Sequence, residues 1–236
     1  MDRELFIDIE TIPAGEYPKI ELPPRPKLWD VKVGNRKAAL AEQYRKQQYP
    51  VLIQKWNELK EQIAIKVDEG YRKQALDSHF NRIVCIGYAF DDDKPDALTG
   101  TEEEIIKSFQ ELIDKKESKK YSVDIIGHNI QEFDLLNIYH KAIKYNLSSL
   151  TRFLRGFTDY QGKEHIKDVM KIWGFLNYKY YVAQNVIAEY LGVPYSKDMD
   201  GSRVLDAWND GKYQEIYDYC KKDIETVRGN YRKINI

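Results

Sequence analysis

Cysteine is scarce in this chain: Cys85 and Cys220 stand alone in 236 residues, and no Cys-x-x-Cys spacing occurs. That argues against a disulfide framework, and with no Cys or His cluster a zinc site is not expected. No stretch approaches the ~18 consecutive apolar residues of a membrane span. The chain opens directly on a strand-like run, so neither a secretory nor a targeting segment is expected. A reduced, cytoplasmic protein without membrane contact is the plain expectation. Charge of one sign is lacking too, with 37 basic residues against 38 acidic and a net charge of −1. Proteins that coat nucleic acid indiscriminately usually carry a strong basic excess. A polyanion partner would therefore have to be gripped locally, by a basic rim or through bound cations.

Tyrosine, by contrast, is abundant at 18; it either builds core and surface or offers faces for stacking bases. Residues 4 to 10 read as a first strand, followed by a proline-rich connection that cannot be helical. From about residue 35 to 77 the pattern is helical, with Leu52, Trp56, Leu59 and Ile63 on one face. The run 82 to 90 reads as a central strand, and a third strand is open to the segment after it. Thr101 opens a helix through a capping box, and Ile105, Phe109, Leu112 and Ile113 share its apolar face. A short buried strand at 123 to 127 leads into a helix over about 131 to 145. A strand at 164 to 169 and helices near 182 to 191, 202 to 209 and 213 to 231 complete the order. Alternating strands and helices predict an α/β chain with a mixed central sheet. Residues 30 to 79 read as a helical insertion after the first strand, within a single domain spanning 1 to 236.

The first strand raises a chemical question, because Asp8 and Glu10 stand among Leu5, Phe6, Ile7 and Ile9. Residues two apart in a strand share a face, roughly 6 to 7 Å apart at Cα. Two carboxylates that close among apolar neighbours repel each other and lose hydration. They need a proton, a basic partner or a metal ion. Asn129 and Asp134 fall where a buried strand gives way to a helix, the end at which α/β sheets usually bind ligands. Tyr219 and Asp223, four apart on the final helix, flank an apolar stripe of Tyr213, Ile216, Cys220, Ile224 and Val227. Singly, each has a bland alternative: a half-exposed edge strand, a helix cap with a solvated first-turn acid, an i, i+4 polar pair.

Taken in order, "DIE", "HNIQEFD" and "YCKKD" resemble the DnaQ-like 3′–5′ exonucleases whose third motif carries tyrosine (the DEDDy type). More closely, the chain resembles the stand-alone exonucleases related to the proofreading domain of family B DNA polymerases. "RIVCIGYAF", "HIKDVM" and "YLGVPYSKDMDGS" extend the likeness over most of the chain outside residues 30 to 79. The resemblance implies a ribonuclease H-like fold, a mixed central sheet flanked by helices. It also implies that Asp8, Glu10, Asp134 and Asp223 bind two Mg²⁺ or Mn²⁺ ions, hard cations suited to oxygen donors. Asp8 would bridge the ions, and Tyr219 would orient water. Thr11, His128, Asn129 and Phe133 would contact the substrate, His128 either packing or stacking on a base. Asp168 would support the site without ligating metal. Arg152, Arg155, Lys163, Lys197, Lys221 and Lys222 are candidates for a phosphate rim, each also explicable as solvated surface.

The implied activity is release of nucleoside monophosphates from 3′ ends, with single-stranded DNA the expected substrate. Three alternatives stay open: another ribonuclease H-like nuclease, such as a junction resolvase or an endonuclease, against which the Tyr219 to Asp223 spacing argues; an RNA-trimming exonuclease on the same scaffold; and a non-catalytic nucleic-acid-binding or scaffold module. No polymerase domain fits in this length, and the sequence names no polymerase or repair partner.

Overall fold

The computed structural model describes residues 3–116, 123–196 and 199–235. Five strands make one mixed sheet: β1 (Arg3–Pro13), β2 (Asn81–Phe90), β3 (Asp96–Thr99), β4 (Val123–Gly127) and β5 (Ile166–Asp168). Their spatial order is β3-β2-β1-β4-β5. β1 pairs antiparallel with β2 and parallel with β4, so the strand bearing Asp8 and Glu10 lies at the centre. The segment after β2 does form a strand, antiparallel to it. Helices follow as α1 (Ala38–Lys73), α2 (Glu102–Lys116), α3 (Asp134–Lys144), α4 (Ser148–Arg155), α5 (Tyr160–Lys163), α6 (Val169–Trp173), α7 (Gln184–Leu191), α8 (Val204–Asn209) and α9 (Tyr213–Ile234).

Period-2 alternation in the central strands assigns each sheet face its own core. Leu5, Ile7 and Ile9 pack with Ile105, Phe109, Ile138 and Leu150 beneath α2, α3 and α4. Phe6 packs on the other face with Ile187, Ile224, Val227 and Tyr231 from α7 and α9. Helices thus flank a mixed sheet on both sides, the arrangement expected of a ribonuclease H-like exonuclease fold. The Thr101 capping box forms: its amide and hydroxyl donate to Glu104 at 2.9 and 2.8 Å. Two features differ from the sequence reading. α3 begins at Asp134, three residues later than expected, because residues 129 to 133 form a turn. The short helices α4, α5 and α6 had not been expected.

The chain divides into two compact units, Met1–Ala14 with Gln74–Ile236, and Gly15–Lys73. The second comprises α1 and the proline-rich segment before it, which is tied to the helix. Trp56 Nε1 donates to the Pro23 carbonyl at 3.0 Å and the Tyr49 hydroxyl to the Pro26 carbonyl at 3.1 Å.

Candidate active site

Asp8 and Glu10 project from β1 toward α9, on the Phe6 side of the sheet, Asp8 opposite Gly87 and Glu10 opposite Cys85 of β2. Gly87 sets how near α9 can come. A Cβ there would lie 2.9 Å from Cys220 Sγ and 3.0 Å from the Cys220 carbonyl oxygen. The second contact is with backbone, so any side chain at 87 would push the helix away. Close approach lets Cys220 Sγ sit 3.6 Å from the Asp8 carbonyl and 3.7 Å from Asp8 Oδ2. The same approach brings Tyr219 and Asp223, one turn apart, to Asp8 and Glu10. The Tyr219 hydroxyl donates to Asp223.

Asp134 arrives from the opposite side, as the first residue of α3. Its Oδ1 accepts the Ile9 amide at 3.0 Å, a ladder position left open because β4 pairs with β1 only over Arg3–Phe6. The turn before α3 is fixed by Asp168, which caps α6. Asp168 accepts the Asn129 amide at 3.0 Å and the Gln131 amide at 3.4 Å, besides the amides of Met170 and Lys171. Its part is that of a buried clamp. Asn129 is left-handed, with φ of 56°, and its side-chain oxygen is buried without a partner among the described residues.

These carboxylates are out of electrostatic balance. Burial pushes the Asp8 carboxyl well above the usual range, and Asp223 and Asp134 add repulsion. Glu10 is raised by burial and then by Asp8. Asp134 rises to about 8 through burial, despite its amide hydrogen bonds. Asp223 rises to about 6 for the same reason, opposed by the bond from Tyr219. Burial and the surrounding carboxylates push the Tyr219 phenol upward as well. Among the described residues no Lys or Arg forms an ion pair with any of the four acids. Such a cluster fits a divalent cation, whose charge would restore the balance.

Ligand atoms of Asp8, Glu10 and Cys220 lie within 4.8 Å of one another. Asp134 and Asp223 stand outside that inner group but act on Asp8 electrostatically. The thiol is the residue the sequence reading did not place at the site. An apolar stripe on α9 foretold burial, but its position against Asp8 depends on Gly87 across the sheet. Its hydrogen bond with Cys85, and then burial, push the Cys220 thiol up, so it acts as an S–H donor to the carboxylate, and oxygen remains the dominant donor type.

A cleft of about 270 Å³ opens here, lined by Asp8, His128, Gln184, Tyr195, Tyr219 and Asp223 among others. Burial lowers His128 to about 4, against a hydrogen bond to the Val182 backbone, so the ring facing the cleft is neutral. Thr11, Asn129 and Phe133 do not line it. The Thr11 hydroxyl donates to the Ala75 carbonyl at 2.7 Å, and Phe133 packs against the core. Of the basic residues, Lys221 is engaged by Asp218 at 2.8 Å, and Lys197 lies outside the described residues.

No curated protein and no solved structure matches the chain. One family model does, over residues 73–227, a stretch that takes in Asp134, Tyr219 and Asp223 and begins after β1. That stretch exceeds half of the sequence, and the chain belongs to the family described as predicted 3′–5′ exonucleases related to the exonuclease domain of PolB.

Proposed function

We propose that the protein is a metal-dependent 3′–5′ exonuclease that hydrolyses phosphodiester bonds of single-stranded DNA to nucleoside monophosphates. The observation that carries this reading is the convergence of four desolvated carboxylates, none ion-paired with Lys or Arg, beside a tyrosine that bonds one of them. In this reading residues 1 to 236 form one exonuclease domain, interrupted by the helical insertion.

Asp8, Glu10, Asp134 and Asp223 would hold two Mg²⁺ or Mn²⁺ ions. Such a pair supplies Lewis-acid stabilisation to both the attacking and the leaving oxygen of an in-line displacement at phosphorus. The chain's own residues do the positioning. Asp8 is central because it faces Asp223 and Asp134 at once. Asp134 is held by the Ile9 amide and Asp223 by Tyr219, so both present fixed oxygens. A phenol raised in this way is a poor base at neutral pH, and Tyr219 serves to align water by hydrogen bonding. Neutral His128 offers a flat, uncharged wall to a terminal base. Cys220 donates to Asp8 and limits that carboxylate's rotation.

End-labelled single-stranded and duplex DNA and RNA, each with Mg²⁺, Mn²⁺ or EDTA, test the reading. Mononucleotide release from free 3′ ends of single-stranded DNA, absent in EDTA and on a 3′-phosphorylated end, is expected. Rapid cutting of a closed single-stranded circle would show an endonuclease instead. Stronger trimming of RNA than of DNA would move the substrate to RNA.

A further inference from the structure

Near-zero net charge conceals a division of charge. The unit Gly15–Lys73 holds 13 Lys and Arg against 8 Asp and Glu, net +5, whereas the other residues hold 24 against 30, net −6. The whole excess falls between residues 25 and 46, where seven basic residues meet two acidic ones. Both acids are already engaged. Asp30 accepts the Lys27 amide at 2.6 Å, and Glu42 pairs with Lys46 at 2.8 Å. Arg25, Lys27, Lys32, Arg36 and Lys37 are exposed, and among the described residues none has a carboxylate within ion-pair distance.

The cations sit on a preorganised strap. Proline-fixed backbone runs antiparallel along α1, so that Pro23 meets Trp56 and Pro26 meets Tyr49. Three extended residues and seven helical ones both cover roughly 10 Å, which lets the two contacts stay in register. Further along, the Arg45 guanidinium lies 6.0 Å from the Trp29 ring and that of Arg36 3.8 Å over Tyr44. Trp29 is nevertheless 72% exposed in the middle of the cations. A helix N-terminus normally attracts acids, yet α1 has none in its first turn and is preceded by Arg36 and Lys37. Backbone dipole and side chains therefore favour an anion together.

We propose that this strap binds a single strand of nucleic acid, its phosphates on Arg25, Lys32, Arg36 and Lys37 and a base stacked on Trp29. The inference deepens the exonuclease reading and rests on it for the class of substrate. It locates the local grip on a polyanion that the overall charge balance does not supply. Matched residues of the family model begin at 73, and the strap lies before them.

Fluorescence anisotropy of a labelled oligo(dT) with the full chain in EDTA tests it, because hydrolysis is then suppressed. All substituted side chains are exposed, and circular dichroism checks that each variant is folded. Replacing Lys32, Arg36 and Lys37 by Ala should weaken binding at least ~10-fold at 100 mM salt. It should also lower the slope of log affinity against log salt by about 2, three contacts at about 0.7 each. Trp29→Ala should weaken binding ~10-fold and leave the slope unchanged, as loss of stacking does. Unchanged binding in both variants overturns the strap while leaving Mg²⁺-dependent nucleotide release to stand. Strap-dependent binding by a protein that releases no nucleotide would overturn the exonuclease reading instead. Loss of binding to phosphatidylserine vesicles, with oligo(dT) binding intact, would assign the patch to a membrane surface and overturn the proposal.

Discussion

Helix α3 takes part in two clusters of buried charge built on opposite terms. At its first residue Asp134 joins Asp8, Glu10 and Asp223, where every member is an acid and every pKa is pushed upward. Two turns later Lys141 and Lys144 meet Glu102, whose side chain is 7% exposed. There each charge is answered. Glu102 accepts from Lys144 at 2.7 Å, the Tyr145 hydroxyl at 2.6 Å and the Ile83 amide at 2.9 Å. Lys141 donates to the Ser78 and Asn81 carbonyls. Burial acts to raise the Glu102 carboxyl, yet these partners hold it below the usual range. One helix thus carries a satisfied cluster that ties the fold and an unsatisfied one that a ligand must complete. Buried charge alone does not mark a functional site; its imbalance does.

The sharpest way to test that contrast is to remove one carboxylate from each cluster. Asp8→Ala should reduce turnover by more than ~10³-fold, a barrier increase of about 4 kcal/mol. Thermal stability measured in EDTA should hold or rise, because a repelling, desolvated group has gone. A clear loss of stability with activity retained would reverse the assignment of this cluster.

Glu102→Ala should do the opposite. It strands Lys141 and the Ile83 amide, and breaking a buried pair costs about 3 kcal/mol. Urea unfolding should show that loss, while nucleotide release by the folded fraction stays within about twofold. The pair is predicted to break the comparison cleanly in two.

pH sharpens it further. Asp223 at about 6 and Asp134 at about 8 lie above the usual Asp value. Between roughly pH 4 and 8 the folded chain therefore holds more protons than the unfolded one. Stability in EDTA should fall as pH rises through this window, by about 5 kcal/mol from pH 5 to 8, most of it from Asp134. Asp223→Asn should flatten the slope, and saturating Mg²⁺ should oppose it, since the ions bind only the deprotonated acids. A metal-free protein that gains stability steadily toward pH 8 would contradict the raised pKa values.

Much of this was legible in the sequence, and for identifiable reasons. Two-residue spacing in an apolar run placed Asp8 and Glu10 on one face of a strand, and four-residue spacing placed Tyr219 with Asp223. A capping box announced α2 at Thr101. What the sequence hid were relations between elements. That Cys220 touches Asp8 depends on Gly87 leaving room across the sheet. That Asp168 clamps the turn before α3 depends on β5 ending beside it. Helices α4 to α6 are four to eight residues long, too short for periodicity to stand out. The proline-rich segment read as a plain connection because its order comes from Tyr49 and Trp56, more than twenty residues away.

The smallest expected effect separates roles inside the acidic cluster. Tyr219→Phe keeps the ring and removes only the hydroxyl that bonds Asp223. Water alignment by one hydroxyl, beside acids that themselves position the reaction, should contribute at the low end of the 10² to 10⁴-fold range or below it. Turnover is therefore expected to fall about 10-fold, with little change in KM. Since the hydroxyl only lowers Asp223 against the upward push of burial, its loss should raise that carboxyl further. The acidic limb of the rate profile should then shift to higher pH in Tyr219→Phe, while metal titration at pH 8 stays close to wild type. Loss of metal binding at pH 8 would make Tyr219 part of the ion site itself, and an unmoved acidic limb would detach it from Asp223.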